Sequence, residues 1–177
     1  MTGDVTVELL KNITEYAIVH QKEGLNLTIE GHNDTIKGQI IVDGDGRAAG
    51  TETLTIQNVN FYGDNTNFYT GTDAFVLVPS TKDANKPYTT NKYNYAHNIT
   101  ITDCNFTSTS ASKNVVGFKA NSNAGNYNTV ITNVKGKNLH SLAQFTGTTG
   151  ATLSNDTVTN SESFVNVNGG TGDYNIS

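Results

Sequence analysis

The chain has 177 residues, 35% hydrophobic and only 15% charged, with a formal net charge of −5. Both shares lie below the roughly 45–50% and 25% of ordinary globular chains, and Asn (24 residues), Thr (27) and Gly (17) fill the gap. This composition argues against a helical protein, a basic nucleic-acid groove (Arg47 is the single Arg), a disulfide scaffold (Cys104 is the single Cys) and a membrane span, since no apolar run nears the roughly 18–20 residues a span requires.

In chain order, the predicted strands begin with Val5-Thr6-Val7-Glu8. The stretch Val7-Glu8-Leu9-Leu10-Lys11-Asn12-Ile13 either begins the first coil or supplies a short cap. A second copy of the motif is Leu27-Thr28-Ile29-Glu30, and a fuller one is Leu54-Thr55-Ile56-Gln57-Asn58-Val59. The motif returns as Ile99-Thr100-Ile101-Thr102-Asp103-Cys104, as Thr129-Val130-Ile131-Thr132-Asn133-Val134, and as Ala151-Thr152-Leu153-Ser154-Asn155. One more copy opens at Tyr174-Asn175-Ile176-Ser177. A second strand family lies between these: Ile40-Ile41-Val42, Phe75-Val76-Leu77-Val78, Val115-Val116-Gly117-Phe118, Leu142-Ala143-Gln144-Phe145 and Phe164-Val165-Asn166-Val167. Gly, Asn and Ser cluster between the families, as turns require.

The second apolar residue of each copy marks a column: Val7, Ile29, Ile56, Ile101, Ile131, Leu153 and Ile176. Successive markers are 22, 27, 45, 30, 22 and 23 residues apart. That is a basic period near 22 with three insertions, which suits a coil of three short strands joined by tight turns. Strand alternation points the markers inward and the preceding Thr6, Thr28, Thr55, Thr100, Val130, Thr152 and Asn175 outward. Two residues after the marker stand Asn58, Asp103, Asn133 and Asn155. A strict strand would bury this column. A turn explains it better, because Asn bends the chain and can bond its equivalent in the next coil. Past the turn the inward phase resumes at Val59 and Phe61, then at Cys104 and Phe106.

These columns and the period resemble the right-handed parallel β-helix of the pectin-lyase-like superfamily. The segments Thr6–Ile13 and Leu27–Ile36 resemble the first coils of adhesin-like repeat proteins of bacterial and archaeal surfaces. The resemblance implies an all-β solenoid of about six coils, residues 1–177 forming a single β-helix domain and a fragment of a longer chain. It implies several functions equally, since lyases, hydrolases and non-catalytic adhesins share this coil. The hydrolases' Asn-Thr-Asp, Asp-Asp, Gly-His-Gly and Arg-Ile-Lys motifs are absent, and Gly31-His32 is followed by Asn33. The lyases hold calcium with clustered carboxylates beside an Arg or Lys base, which draws attention to Asp43-Gly44-Asp45-Gly46-Arg47.

Asp43 and Asp45 offer two calcium-ligand positions one residue apart, but Arg47 and Leu54 stand where an EF-hand loop needs oxygen ligands. A polar turn is the simpler reading, with calcium the one candidate ion. The long interval between Ile56 and Ile101 holds Tyr62, Tyr69, Tyr88, Tyr93 and Tyr95, five of the eight tyrosines. A Tyr ring offers a flat apolar face and a polar tip, which suits stacking on a sugar, although packing of the loop would use the same rings. The expected function is therefore a non-catalytic surface or secreted module, adhesin-like, that binds a polysaccharide or cell-surface glycan or serves as a stalk. The alternative is a truncated polysaccharide lyase or glycoside hydrolase. No nucleic acid and no membrane insertion are expected. The expected location is extracellular or at the cell surface, with any export signal outside this sequence.

Overall fold

The computed structural model describes residues 3–44, 50–69, 71–79, 98–121, 128–146 and 148–177. The chain winds as a right-handed parallel β-helix. The first coil contains β1 (Gly3–Glu8) and β2 (Ala17–His20), and the second β3 (Leu25–Glu30), β4 (Thr35–Ile36) and β5 (Ile40–Asp43). The third holds β6 (Thr53–Gln57), β7 (Asn60–Gly63) and β8 (Ala74–Val78). The fourth holds β9 (Asn98–Thr102), β10 (Asn105–Ser108) and β11 (Val116–Ala120). The fifth holds β12 (Asn128–Thr132), β13 (Lys135–Lys137) and β14 (Ser141–Phe145). The sixth holds β15 (Thr148–Ser154), β16 (Thr157–Thr159) and β17 (Ser163–Val167), and β18 (Gly170–Ile176) follows.

Three all-parallel sheets result. The first is ordered β1-β3-β6-β9-β12-β15-β18, the second β16-β13-β10-β7-β4 and the third β17-β14-β11-β8-β5-β2. In the first coil an isolated bridge from Ile13 to Ile36 stands where the second sheet would continue. The segment after Glu8 therefore continues a true first coil, whose β1 pairs with β3 along its whole length.

The register of the first sheet matches the marker column at every step. Val7 pairs with Ile29, Ile29 with Ile56, Ile56 with Ile101, Ile101 with Ile131, Ile131 with Leu153 and Leu153 with Ile176. The insertions therefore leave the ladder unshifted. A one-residue slip would turn every Ile outward and every Thr inward, so burial enforces the register. A sandwich of antiparallel strands is excluded.

The interior is filled by aliphatic columns and an aromatic spine. Phe61 and Phe106 stack with centroids 4.9 Å apart, and Phe75 stacks on Phe106 at 5.9 Å. In the next coil Gly136 takes the place of the Phe. A Cβ there would lie 2.9 Å from Leu139 Cδ1, so Leu139 and Leu142 fill the space the aromatic column vacates. Cys104 is a buried member of this core, and burial pushes its thiol up to about 12.

Turns explain the Asn column. Asn58, Asp103, Asn133 and Asn155 have φ of 56°, 54°, 56° and 57°. This left-handed region costs most L-residues energy, and Asn and Asp tolerate it best. The backbone N–H of each donates to a carbonyl of the next coil: Asn58 to Thr102, Asp103 to Thr132, Asn133 to Ser154 and Asn155 to Ser177, at 3.1–3.3 Å. Two of the side chains turn elsewhere. Asn58 Nδ2 donates to the Glu30 carboxylate at 3.0 Å, and Asp103 Oδ2 accepts from Thr102 Oγ1 at 2.8 Å. In the second coil two extra residues enter this turn, and His32 and Asn33 carry the positive φ instead.

Candidate functional site

The outer face of the second sheet is the best-formed candidate surface. Its strands are short, and they alternate cleanly. Ile36, Phe61, Phe106, Gly136 and Val158 form the inward row. On either side run two outward rows. The first is Thr35, Asn60, Asn105, Lys135 and Thr157. In the second, Tyr62, Thr107, Lys137 and Thr159 are successive register partners, and Lys37 adjoins Tyr62 just past β4. Together they line a shallow groove of about 570 Å³.

The groove offers one aromatic face, amides, hydroxyls and ammonium groups. Tyr62 is 45% exposed, so its ring is open to a ligand. Asn105 Nδ2 donates to Asn60 Oδ1 at 2.6 Å, and Asn60 Nδ2 donates to the Asn33 carbonyl. This chain of amides holds the row in one orientation and leaves further donor and acceptor capacity for a ligand. No outward position of the sheet carries an acid. The third sheet contrasts with this face: β5 and β8 are buried at every position.

The five tyrosines of the long interval do not form one described cluster. Tyr62 lies in the groove. Tyr69 sits apart, its ring edge-on to Tyr16 at 5.5 Å and its backbone N–H donating to Gln39 Oε1 at 3.3 Å. Gln39 is fully buried and also donates to the Ala74 carbonyl at 2.6 Å, so this contact ties the loop to the core. Tyr88, Tyr93 and Tyr95 lie outside the described residues.

Asp43 is buried at the end of β5 and accepts a hydrogen bond at 2.8 Å from His20 Nδ1, its register partner on β2. Asp45 and Arg47 lie outside the described residues. Among the described residues no group of three or more His, Cys, Asp and Glu side chains is placed to hold a metal ion. His140 Nδ1 pairs with Glu162 at 2.7 Å, and His32 lies between two carboxylates, its Nε2 3.8 Å from Glu8 and its Nδ1 4.0 Å from Glu30.

Two carboxyls are displaced from their usual range in instructive directions. Glu30 is held low by the His32 backbone N–H, aided by the amides of Gln57 and Asn58. Asp156 is pushed up to about 6 by burial. It occupies the inward position of Val59, Cys104 and Val134 because Oδ1 accepts the Val134 N–H at 2.8 Å, while Oδ2 is buried with no described partner. Sequence reasoning offered no account of this residue.

It also missed the outward row of the second sheet and a second left-handed column at Lys113, Asn138 and Asn160. There Asn160 Nδ2 donates to Asn138 Oδ1 at 2.7 Å. The signal was available: Asn138 and Asn160 each follow their marker by the same number of residues.

No family model, curated protein or solved structure matches this chain. The class that the geometry itself defines is the right-handed parallel β-helix. No helix among the described residues is long and apolar enough to cross a membrane.

Proposed function

We propose that this chain is a non-catalytic, adhesin-like β-helix module of a cell-surface or secreted protein, of the pectin-lyase-like kind, and that it binds glycan. The observation that carries this reading is the groove on the second sheet, where the exposed ring of Tyr62 lies beside Asn60, Asn105 and Thr107. A sugar presents an apolar ring face and a rim of hydroxyls. A half-exposed Tyr flanked by fixed amides and a hydroxyl matches both. The groups gathered here recognise; they do not pair two carboxylates for general acid–base work.

The test is a glycan array probed with the full chain, with and without added calcium. Binding to one glycan class that falls about tenfold in Tyr62→Ala supports the reading, since one lost stacking contact is worth roughly 1–1.5 kcal/mol. A blank array overturns it and leaves the stalk role. Binding that required calcium would move attention to Asp43 and Asp45.

A further inference from the structure

We infer that the groove takes a sulfated glycan laid along the solenoid axis, with its ester anions held by Lys37 at one end and by Lys135 and Lys137 at the other. This rests on the glycan-binding reading above and names the ligand's charge and direction.

The argument starts from charge. The chain as a whole is acidic, at −5, yet the face of the second sheet carries three lysines and no acid. Among the described residues no carboxylate lies within ion-pair distance of any of the three. The described ion pairs lie elsewhere: Asp73 holds Lys119 at 2.7 Å, Glu162 holds His140, Asp43 holds His20, and Glu8 and Glu30 flank His32. All three lysines of the groove are exposed. A cluster of unneutralised cations on an acidic protein favours an anionic partner at that spot and nowhere along the rest of the sheet.

Geometry adds direction. Lys37, Tyr62, Thr107 and Lys137 follow one another across adjacent strands. Adjacent strands lie about 4.8 Å apart, so roughly 14 Å separates the backbone positions of Lys37 and Lys137 at the two ends of the row. Lys135 stands two residues from Lys137 on the same strand and widens that end. A ligand touching both ends therefore runs along the axis, crossing the Tyr62 ring and the Thr107 hydroxyl between its charges. The ammonium type narrows the anion. Planar carboxylates are best matched by the Arg fork, whereas Lys acts as a point charge without a preferred plane. A sulfate ester, ionised throughout the ordinary pH range, suits three lysines.

The experiment titrates the full chain with heparin as the sulfated probe and with the same polysaccharide after desulfation, each at low and high salt. The expected result is at least about tenfold tighter binding of the sulfated chain, weakened by salt. Each exposed lysine contact is worth about threefold, so Lys135→Ala/Lys137→Ala should lose about tenfold and Lys37→Ala about threefold. The Lys135→Arg/Lys137→Arg variant should retain binding, and unchanged circular dichroism verifies that each variant is folded. Equal binding of sulfated and desulfated chains, or unchanged binding by the lysine variants, overturns the sulfate assignment. The glycan reading survives that result if Tyr62→Ala still weakens binding. Binding of single-stranded DNA as tight as that of heparin overturns the assignment to a glycan. No binding of either polysaccharide overturns the sulfate assignment, and the glycan reading then stands or falls on the array.

Discussion

The interior coils and the first coil share one pattern and differ in what it achieves. Ile56 and Ile101 in the marker column are fully buried, while Val7 in the same column is 49% exposed. The strands β6 and β9 alternate between buried and half-buried positions, whereas every residue of β1 is exposed. Beside β1 an apolar recess of about 420 Å³ opens, lined by Val7, Leu9, Ile13 and Val19 among others. The lesson is that a coil does not own its core. Each apolar residue is buried by the coils on its two sides, so the same motif is worth more in the middle of the stack.

The sharpest way to test that contrast is to open the middle. Phe106 packs against both Phe61 and Phe75 and is fully buried. Phe106→Ala should cost about 3–5 kcal/mol of unfolding free energy, measured by denaturant titration. A loss below about 1 kcal/mol would mean that the interior coils are no better packed than the first. Next comes the turn that keeps the interior coils in register. Asn133→Ala places an ordinary side chain at φ 56° and should cost roughly 1–2 kcal/mol, with Asn133→Gly recovering most of it. If Ala and Gly behaved alike, the column would owe its identity to the side chain and not to the backbone.

A smaller effect concerns Asp156, a charge placed where the interior coils carry Val59, Cys104 and Val134. Its folded value of about 6 lies above the ordinary 3.8, so between those limits the folded state keeps a proton the unfolded chain has released. Its contribution is therefore least unfavourable below about pH 4, and stability falls as pH rises through that window. Asp156→Asn keeps the acceptor for the Val134 N–H and removes the charge. It should raise the melting temperature at neutral pH, by an amount equivalent to about 1 kcal/mol once solvent screening is discounted. The gain should vanish towards pH 4; a gain independent of pH would break the account. The smallest effect is expected at the first coil, where Val7→Ala should cost less than about 1 kcal/mol. A loss as large as that of Phe106→Ala would show that the first coil is covered in solution.

The first and third sheets were legible in the sequence because a repeated strand must repeat its buried side. The Ile column and the five apolar runs from Ile40 to Val167 were visible for that reason, and their pairing follows from the column alone. The second sheet was far less legible. Its strands are two to four residues long, too short for alternation to stand out from a turn. The groove was hidden for the same reason. Lys37, Tyr62, Thr107 and Lys137 are scattered through the chain and become neighbours only when the coils stack. Grouping the tyrosines by sequence placed Tyr62 with Tyr69, whereas the turn after Gly63 sends one to the groove and the other to the buried Gln39.

By itself the sequence determined the period, the inward column and the left-handed turn residues, because each is a local demand: alternation buries every second residue, and few side chains tolerate positive φ. Only the tertiary structure decided which polar residues share a face, how far each apolar residue is buried, and that three lysines share one face without an acid between them. Those properties depend on stacking, which joins residues by coil number rather than by distance along the chain.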